Sequence, residues 1–167
     1  MDYCISDIHG YYGLFCRLLD KIRFGSEDRL FVLGDMIDKG PESIRLAKLL
    51  FSMPNVKCIA GNQEYDFLKY YRALMRQTED YDFVLQALRE YFPDGDLLDW
   101  DTVDNFDLLP FYIETDKFIG VHAGVPVRDG RIPDLEKAAA EQFVYDRNFK
   151  EANVLPKGDK CILFGHT

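Results

Sequence analysis

The stretch Gly34-Asp35-Met36-Ile37-Asp38-Lys39-Gly40 follows a short apolar run, residues 30–33, that is typical of a buried parallel strand. The glycine ends this strand, and two carboxylates, Asp35 and Asp38, follow on the loop. Ligands collect at the carboxyl ends of strands in open α/β sheets, so this loop is predicted to carry a binding site. We interpret Asp35 as the residue that the other members of the site face.

Further polar residues follow other predicted strands, which together make five strand ends. The candidate metal ligands are Asp7, His9, Asp35, Asn62, His122 and His166. Nitrogen and oxygen ligands without thiolate suit ions such as Mn, Fe or Zn. Taken singly, His122 is equally interpreted as a hydrogen-bonded core histidine, and Asn62 as a cap of the following helix. All 3 histidines of the chain nevertheless fall in this set, which favours a metal site.

Apolar runs and helical patterns alternate over the first 60 residues. Short strands are predicted at residues 3–6, 30–33 and 56–60. The helical spacing of Leu14, Leu18 and Ile22 predicts a first amphipathic helix that packs on the sheet with these residues. A second helix is predicted between the second and third strands. The β-α-β-α-β order predicts an α/β fold with parallel crossovers.

The second half of the chain has a different pattern. Residues 65–109 mix aromatic and leucine residues with charges and are predicted to form helices, the last capped by Asp99 or Asp101. We interpret this segment as a helical cap beside the site. Residues 111–114 and 117–121 predict a hairpin or adjacent strands, and residues 160–164 predict a last strand. The chain is interpreted as one domain, residues 1–167.

Composition excludes several classes of protein. The formal net charge of −9 argues against nucleic-acid binding, which needs clustered Lys and Arg. Acidic side chains either keep the protein soluble or are partly offset by bound cations. The longest apolar runs are too short to span a membrane. The 4 cysteines lack metal-ligand spacing, which favours free thiols and a cytoplasmic location. The oligomeric state is left open.

Five motifs in register carry a family resemblance. They are Ser6-Asp7-Ile8-His9-Gly10, Gly34-Asp35-Met36-Ile37-Asp38-Lys39-Gly40, Gly61-Asn62-Gln63-Glu64, Val121-His122-Ala123-Gly124 and Phe164-Gly165-His166-Thr167. This set resembles the calcineurin-like metallophosphoesterases, and within them the bacterial phosphoprotein (serine/threonine) phosphatases. The resemblance implies a sandwich of sheet layers flanked by helices, with a helical cap insertion. Because the chain ends on a site loop, we expect the fold to continue after residue 167.

The resemblance also implies a mechanism. Asp7 and His9 would bind one divalent cation, Asp35 would bridge two, and a second group would hold the other: Asn62, His122 and His166. Mn²⁺ is the expected ion, with Fe and Zn as alternatives. Two such ions clamp a phosphoryl group and supply hydroxide for direct attack on phosphorus. The expected substrate is phosphoserine or phosphothreonine in a protein, or a small phosphoester.

The expected phosphate-binding residues are the positively charged Lys39 and Arg147, together with Asn62. Lys39 stands where the family has arginine, so it keeps the charge but loses the bidentate geometry. Arg147 stands where the bacterial members have Leu-Trp-x-Arg, and an arginine there would bind phosphate oxygens. Since Tyr145 replaces the tryptophan, a surface arginine is a rival interpretation.

Gln63 is the most consequential departure from the family pattern. The family has a histidine there, the general acid that Asp38 would orient. Glutamine hydrogen-bonds a phosphate oxygen but cannot deliver a proton, and general acid–base help is worth roughly 10²–10⁴ in rate. Weakened turnover is therefore expected. The alternatives are a symmetrical diadenosine-tetraphosphate hydrolase and a catalytically impaired phosphate-binding module.

Overall fold

The computed structural model describes residues 1–132, 134–147, 149 and 160–166. The strands are β1 (Asp2–Ile5), β2 (Arg29–Leu33), β3 (Val56–Ile59), β4 (Tyr112–Glu114), β5 (Phe118–Val121) and β6 (Cys161–Leu163). The α-helices are α1 (Tyr12–Ile22), α2 (Ser43–Ser52), α3 (Asn62–Met75), α4 (Tyr81–Arg89), α5 (Trp100–Asp107) and α6 (Ala140–Val144). Short 3-10 helices occur at Gly95–Leu97 and Leu135–Lys137.

The first sheet is parallel, in the order β1-β2-β3. Tyr3 pairs with Leu30, and Leu30 pairs with Val56, so the three strands end at one edge. The β2 residues from Leu30 to Leu33 are buried, as the continuous apolar run predicts. The β-α-β-α-β prediction is confirmed.

The second sheet has the order β4-β5-β6. Strands β4 and β5 are antiparallel, which confirms the predicted hairpin, and β6 adds in parallel to β5. Phe31 of β2 and Phe118 of β5 meet edge to face, with ring centroids 5.1 Å apart. Leu33 and Ile59 belong to the same buried cluster. The two sheets therefore pack face to face, and the predicted layered α/β fold is confirmed.

Helices α3, α4 and α5 occupy most of the segment interpreted as a cap. Phe67 of α3 packs against Phe92 and Phe106, with ring centroids 5.2 and 5.4 Å away. These rings belong to the same hydrophobic core as Ile44 and Leu46 of α2. The helical segment is thus joined to the parallel sheet by continuous apolar packing.

Asp99 caps α5, which settles the choice between Asp99 and Asp101. Its carboxylate accepts hydrogen bonds from the Thr102 backbone N–H at 2.9 Å and from Lys48. Burial acts to raise the pKa of Asp99, but the hydrogen bonds from Lys48 and Thr102 outweigh it and lower the pKa to about 2.

The buried face of α1 differs from the prediction. Leu14 and Leu18 are 54% and 38% exposed, whereas Phe15 is 2% exposed. Tyr12 and Leu19 pack beside Phe15 against the core. The predicted stripe was wrong because two apolar stripes, offset by about one residue, both have helical spacing in this segment.

The four cysteines are free thiols in this structure, as expected. Among the described residues, no helix combines the length and the apolar character that crossing a membrane requires.

Candidate metal centre

The predicted site residues lie at the carboxyl ends of five strands, where the two sheets meet. Two overlapping groups have ligand atoms within 4.8 Å of one another, namely Asp7, His9 and Asp35, and Asp35, His122 and His166. Asp35 is common to both groups and is 2% exposed. The structure therefore brings together the residues that the sequence placed on separate loops. Thr167, the last residue of the fifth motif, lies outside the described residues.

His122 is fully buried, and a hydrogen bond to the backbone fixes one of its ring nitrogens as a donor. Its Nδ1 lies 2.9 Å from the Leu33 carbonyl oxygen, which can only accept, so Nδ1 carries the proton. Its Nε2 faces Asn62 Oδ1 at 3.0 Å, His166 Nδ1 at 3.0 Å and Asp35 Oδ1 at 3.4 Å. Nε2 therefore faces several groups that offer lone pairs, an arrangement that a cation between them would satisfy.

His9 repeats this arrangement on the other side of Asp35. Its Nδ1 donates to the Ile37 carbonyl oxygen at 3.1 Å, which leaves Nε2 unprotonated in the neutral ring. Nε2 lies 3.7 Å from Asp35 Oδ2 and 3.8 Å from Asp7 Oδ1. The Lys39 ammonium donates to the same nitrogen at 2.9 Å. This donor set, in which a backbone carbonyl holds the imidazole through its other nitrogen, fits a divalent cation.

Ser6 and the His166 backbone orient Asp7. Asp7 Oδ2 accepts a hydrogen bond from Ser6 Oγ at 2.5 Å and from the His166 N–H at 3.1 Å. Burial acts to raise the pKa of Asp7, but these hydrogen bonds outweigh it and lower the pKa. The carboxylate is therefore ionised and can bind a cation. No role for Ser6 was predicted from the sequence, although Ser6 directly precedes the motif aspartate.

Glu64 holds the site loop in place and is the main functional residue that the sequence analysis missed. Its buried Oε2 accepts hydrogen bonds from the N–H groups of Gly61 at 2.8 Å and Asp35 at 2.9 Å. Its Oε1 accepts from Met36 at 2.9 Å and Ile37 at 3.1 Å. The available signal was its place at the third position of α3, where a glutamate closes a capping box.

Burial is the largest cause of the pKa shifts of two residues at the centre, Glu64 and His166. Burial first, and then the Asp35 carboxylate, raise the pKa of Glu64 to about 7, whereas its backbone hydrogen bonds act in the opposite direction. Burial, followed by nearby His122 and Arg147, lowers the pKa of His166. A neutral His166 retains a lone pair with which to bind a metal.

Unusual backbone conformations are concentrated at this centre. Among the described residues, eight non-glycine residues have positive φ, and six of them belong to the predicted site: Asp7, His9, Asp35, Asp38, Lys39 and His166. Such conformations are uncommon for residues other than glycine and cluster at functional sites. The backbone therefore adopts unfavourable conformations at residues whose side chains form the site.

Gly61 allows the loops that follow β2 and β3 to approach each other closely. A Cβ atom at this position would lie 2.3 Å from Asp35 Oδ1 and 2.9 Å from His122 Nδ1. No side chain fits there without displacing a candidate ligand. Gly61 is also the N-cap of α3, so Asn62 does not serve as the cap and its amide is free to face His122.

The predicted substrate-binding and catalytic residues lie in segments next to the candidate ligands in sequence or in space. The Gln63 N–H donates to Asp35 Oδ1 at 3.0 Å, and the Asp38 N–H donates to Ser43 Oγ at 3.1 Å. Lys39 contacts His9, and exposed Arg147 lies near His166. Positive side chains therefore stand at both ends of the cluster. Their roles toward a substrate stay predictions.

Comparison with known proteins identifies the family. The sequence profile of the family described as calcineurin-like phosphoesterase matches residues 3–167. The relatives include the protein named bis(5'-nucleosyl)-tetraphosphatase, symmetrical, from Buchnera aphidicola, 30% identical over 128 residues, which are 74% of this chain and 44% of the relative. The protein of the same name from Pseudomonas putida is 31% identical over 147 residues, 85% of this chain and 48% of the relative. The chain spans less than half the length of these curated relatives.

Solved structures agree on the fold. A crystal structure of a protein assigned as a diadenosine tetraphosphatase superposes with a TM-score of 0.69 and 20% identity, covering 98% of this chain and 73% of that one. A metallophosphoesterase from Sphaerobacter thermophilus superposes with a TM-score of 0.52 and 17% identity, over 74% of this chain and 46% of that one. At these identities the likeness concerns the fold alone.

Proposed function

Because the chain belongs to the calcineurin-like phosphoesterase family, we propose that it hydrolyses dinucleoside tetraphosphates at the central anhydride, giving two nucleoside diphosphates. The observation that carries the phosphoesterase chemistry is Asp35, whose two carboxylate oxygens face the imidazoles of His9 and His122. A carboxylate shared in this way is suited to hold two cations side by side.

The relatives favour the dinucleotide over the phosphoprotein that the sequence motifs first indicated. Relatives about 30% identical carry the name bis(5'-nucleosyl)-tetraphosphatase. The phosphatase interpretation depended on Asp38 and Lys39, which lie on the loop that carries Asp35. The Lys39 ammonium suits phosphate oxygens, which both substrate classes share, and the Asp38 carboxylate repels the phosphate oxygens of both. They therefore could not distinguish a serine ester from an anhydride.

Two groups of residues would hold the cations, and Mn²⁺ suits their oxygen and nitrogen atoms. Asp7, His9 and Asp35 would hold one ion. Asp35 and three further residues would hold the other: Asn62, His122 and His166. When bound, such ions neutralise phosphate charge and lower the pKa of water. Lys39 and Arg147 would bind the outer phosphates from the two ends of the cluster.

Gln63 supports the choice of an anhydride substrate. A serine alkoxide is a poor leaving group and needs a proton as it departs, and glutamine cannot supply that proton. A nucleoside diphosphate leaves as a stabilised anion and needs the proton far less. The presence of glutamine at position 63 should therefore slow the hydrolysis of a tetraphosphate less than the hydrolysis of a phosphoprotein.

Product analysis tests the proposal. The Mn²⁺-loaded protein is incubated separately with diadenosine tetraphosphate and with a phosphoserine peptide, and Asp35→Asn serves as the inactive control. We expect ADP as the nucleotide product and slower release of phosphate from the peptide. Faster hydrolysis of the peptide would restore the phosphoprotein assignment. Tight binding of both substrates without turnover would instead indicate a phosphate-binding module.

A further inference from the structure

Two exposed tyrosines stack on each other on the helical segment beside the site. Tyr70 of α3 and Tyr91, which follows α4, are 39% and 41% exposed, and their rings stack with centroids 6.0 Å apart at 30°. The Tyr91 ring also rests against Phe67 at 5.7 Å and Phe92 at 5.0 Å. Because both phenylalanines are buried, Tyr91 is supported from beneath while part of it stays open to solvent.

This tyrosine pair lies within reach of the candidate metal centre. Helix α3 begins at Asn62, a predicted ligand, and Tyr70 follows Gln63 by two helical turns on the same face, about 10 Å along the axis. Tyr91 packs against Phe67, which lies one helical turn beyond Gln63 on α3. Burial first, and then the nearby carboxylates of Asp38 and Asp66, raise the pKa of the Tyr91 hydroxyl. The pair therefore borders the site at roughly the distance of a diphosphate and a sugar.

The surrounding charges decide which part of a nucleotide suits this surface. The Asp38 carboxylate repels phosphate but accepts a hydrogen bond from an amine, whereas the Asp66 carboxylate is already paired with Lys69 and Tyr145. Aromatic side chains stack on nucleobases of any sequence, because every base has a π face. Resting on the proposed function, we propose that Tyr70 and Tyr91 form the stacking surface for one amine-bearing base, such as adenine, of the nucleotide substrate.

The neighbouring pair Tyr65 and Tyr145 is less suited to this task. The Tyr65 hydroxyl donates to Glu141 at 2.5 Å, and the Tyr145 hydroxyl donates to Asp66 at 2.6 Å. The Lys69 ammonium lies over both rings, 5.0 and 5.4 Å from their centroids. A base stacking there would have to displace this lysine, whereas the Tyr70–Tyr91 pair offers its surface without such a rearrangement.

Binding measurements on the Mn²⁺-loaded protein test the inference. Calorimetry compares ADP with pyrophosphate, which has no base, for Tyr91→Leu, Tyr70→Leu and Tyr91→Phe. Tyr81→Leu is the matched control, since Tyr81 is a 57% exposed tyrosine of α4 that contacts Trp100 instead. We expect Tyr91→Leu to weaken ADP binding roughly 10-fold, with Tyr91→Phe close to the unmodified protein and pyrophosphate binding unchanged. Tyr70→Leu should weaken ADP binding in the same direction.

Several results would overturn the inference. They are equal losses for ADP and pyrophosphate, an equal loss in Tyr81→Leu, or no loss in either leucine variant. Since Tyr91 packs on the core, Tyr70→Leu decides the question if Tyr91→Leu does not fold.

Turnover separates this inference from the proposed function. Hydrolysis of diadenosine tetraphosphate with an unchanged KM in Tyr91→Leu would keep the function and refute the stacking surface. Tyr91-dependent binding of ADP without hydrolysis of the tetraphosphate would refute the function and keep the stacking surface.

Discussion

Replacing Glu64 with glutamine changes only one atom of a buried side chain, but it removes two hydrogen bonds in either orientation of the amide. If the amide nitrogen replaces Oε2, the N–H groups of Gly61 and Asp35 lose their acceptor. If it replaces Oε1, those of Met36 and Ile37 lose theirs. Above pH 7, where Glu64 is ionised, each hydrogen bond to the charged group contributes about 1.5–3 kcal/mol, so the expected loss is about 3–6 kcal/mol.

Such a loss is a large part of the ~5–15 kcal/mol that stabilises a typical domain. Urea unfolding followed by circular dichroism measures it, and calorimetric titration with Mn²⁺ reports on the site. We expect a lower unfolding midpoint and weaker metal binding, since the Asp35 loop loses its anchor. Glu27→Gln, at an exposed turn, is the control and should change the free energy of unfolding by less than about 0.5 kcal/mol.

The proposed role of Glu64 is refuted if Glu64→Gln is as stable as the Glu27→Gln control and binds Mn²⁺ as tightly as the unmodified protein. That result would mean that the four N–H groups find other acceptors. Glu64→Ala provides a second check, because it removes all four hydrogen bonds and should be less stable than Glu64→Gln.

Three further predictions concern the site and the fold. Asp35→Asn should abolish binding of both cations, whereas His9→Ala should weaken one; mass spectrometry of metal content measures this, and equal losses would contradict a shared ligand. Gln63→His should raise turnover of a phosphoserine peptide by roughly 10²–10⁴-fold and that of p-nitrophenyl phosphate much less, in a steady-state assay; equal gains would remove position 63 from the general-acid role. Although burial acts to raise the pKa of Asp99, hydrogen bonds lower it from 3.8 to about 2, so Asp99 stabilises the fold above pH 3.8 and this contribution is lost as the pH falls toward 2. The difference in unfolding free energy between the protein and Asp99→Asn should therefore shrink over that interval, and a constant difference would refute the assignment.

The sequence predicted the sheet and the convergence of the candidate ligands because both follow local rules. Apolar runs such as residues 30–33 are short enough to be strands, and each ends at a glycine or a polar residue. Once the strands are parallel, their carboxyl ends must share an edge. The loops that carry Asp7, Asp35 and Asn62 therefore meet without any further information.

The sequence could not fix features that depend on packing between distant segments. Leu14 and Leu18 fit helical spacing as well as Phe15 and Leu19 do, and only the position of the neighbouring core selects the second pair. The role of Glu64 depends on a loop 27 to 29 residues earlier in the chain. A capping glutamate and a glutamate that organises a site have the same local sequence pattern.

The conformation of the site loop explains why a buried carboxylate is needed there. Asp35, Asp38 and Lys39 all have positive φ, and sparsely populated conformations of this kind cost of order 1–3 kcal/mol each. The surrounding structure must supply that free energy before any ligand binds. Glu64 does so with three hydrogen bonds to consecutive residues of the loop, from Asp35 to Ile37. The folded protein therefore holds Asp35 between His9 and His122 in advance, and a bound cation need not reorganise the loop.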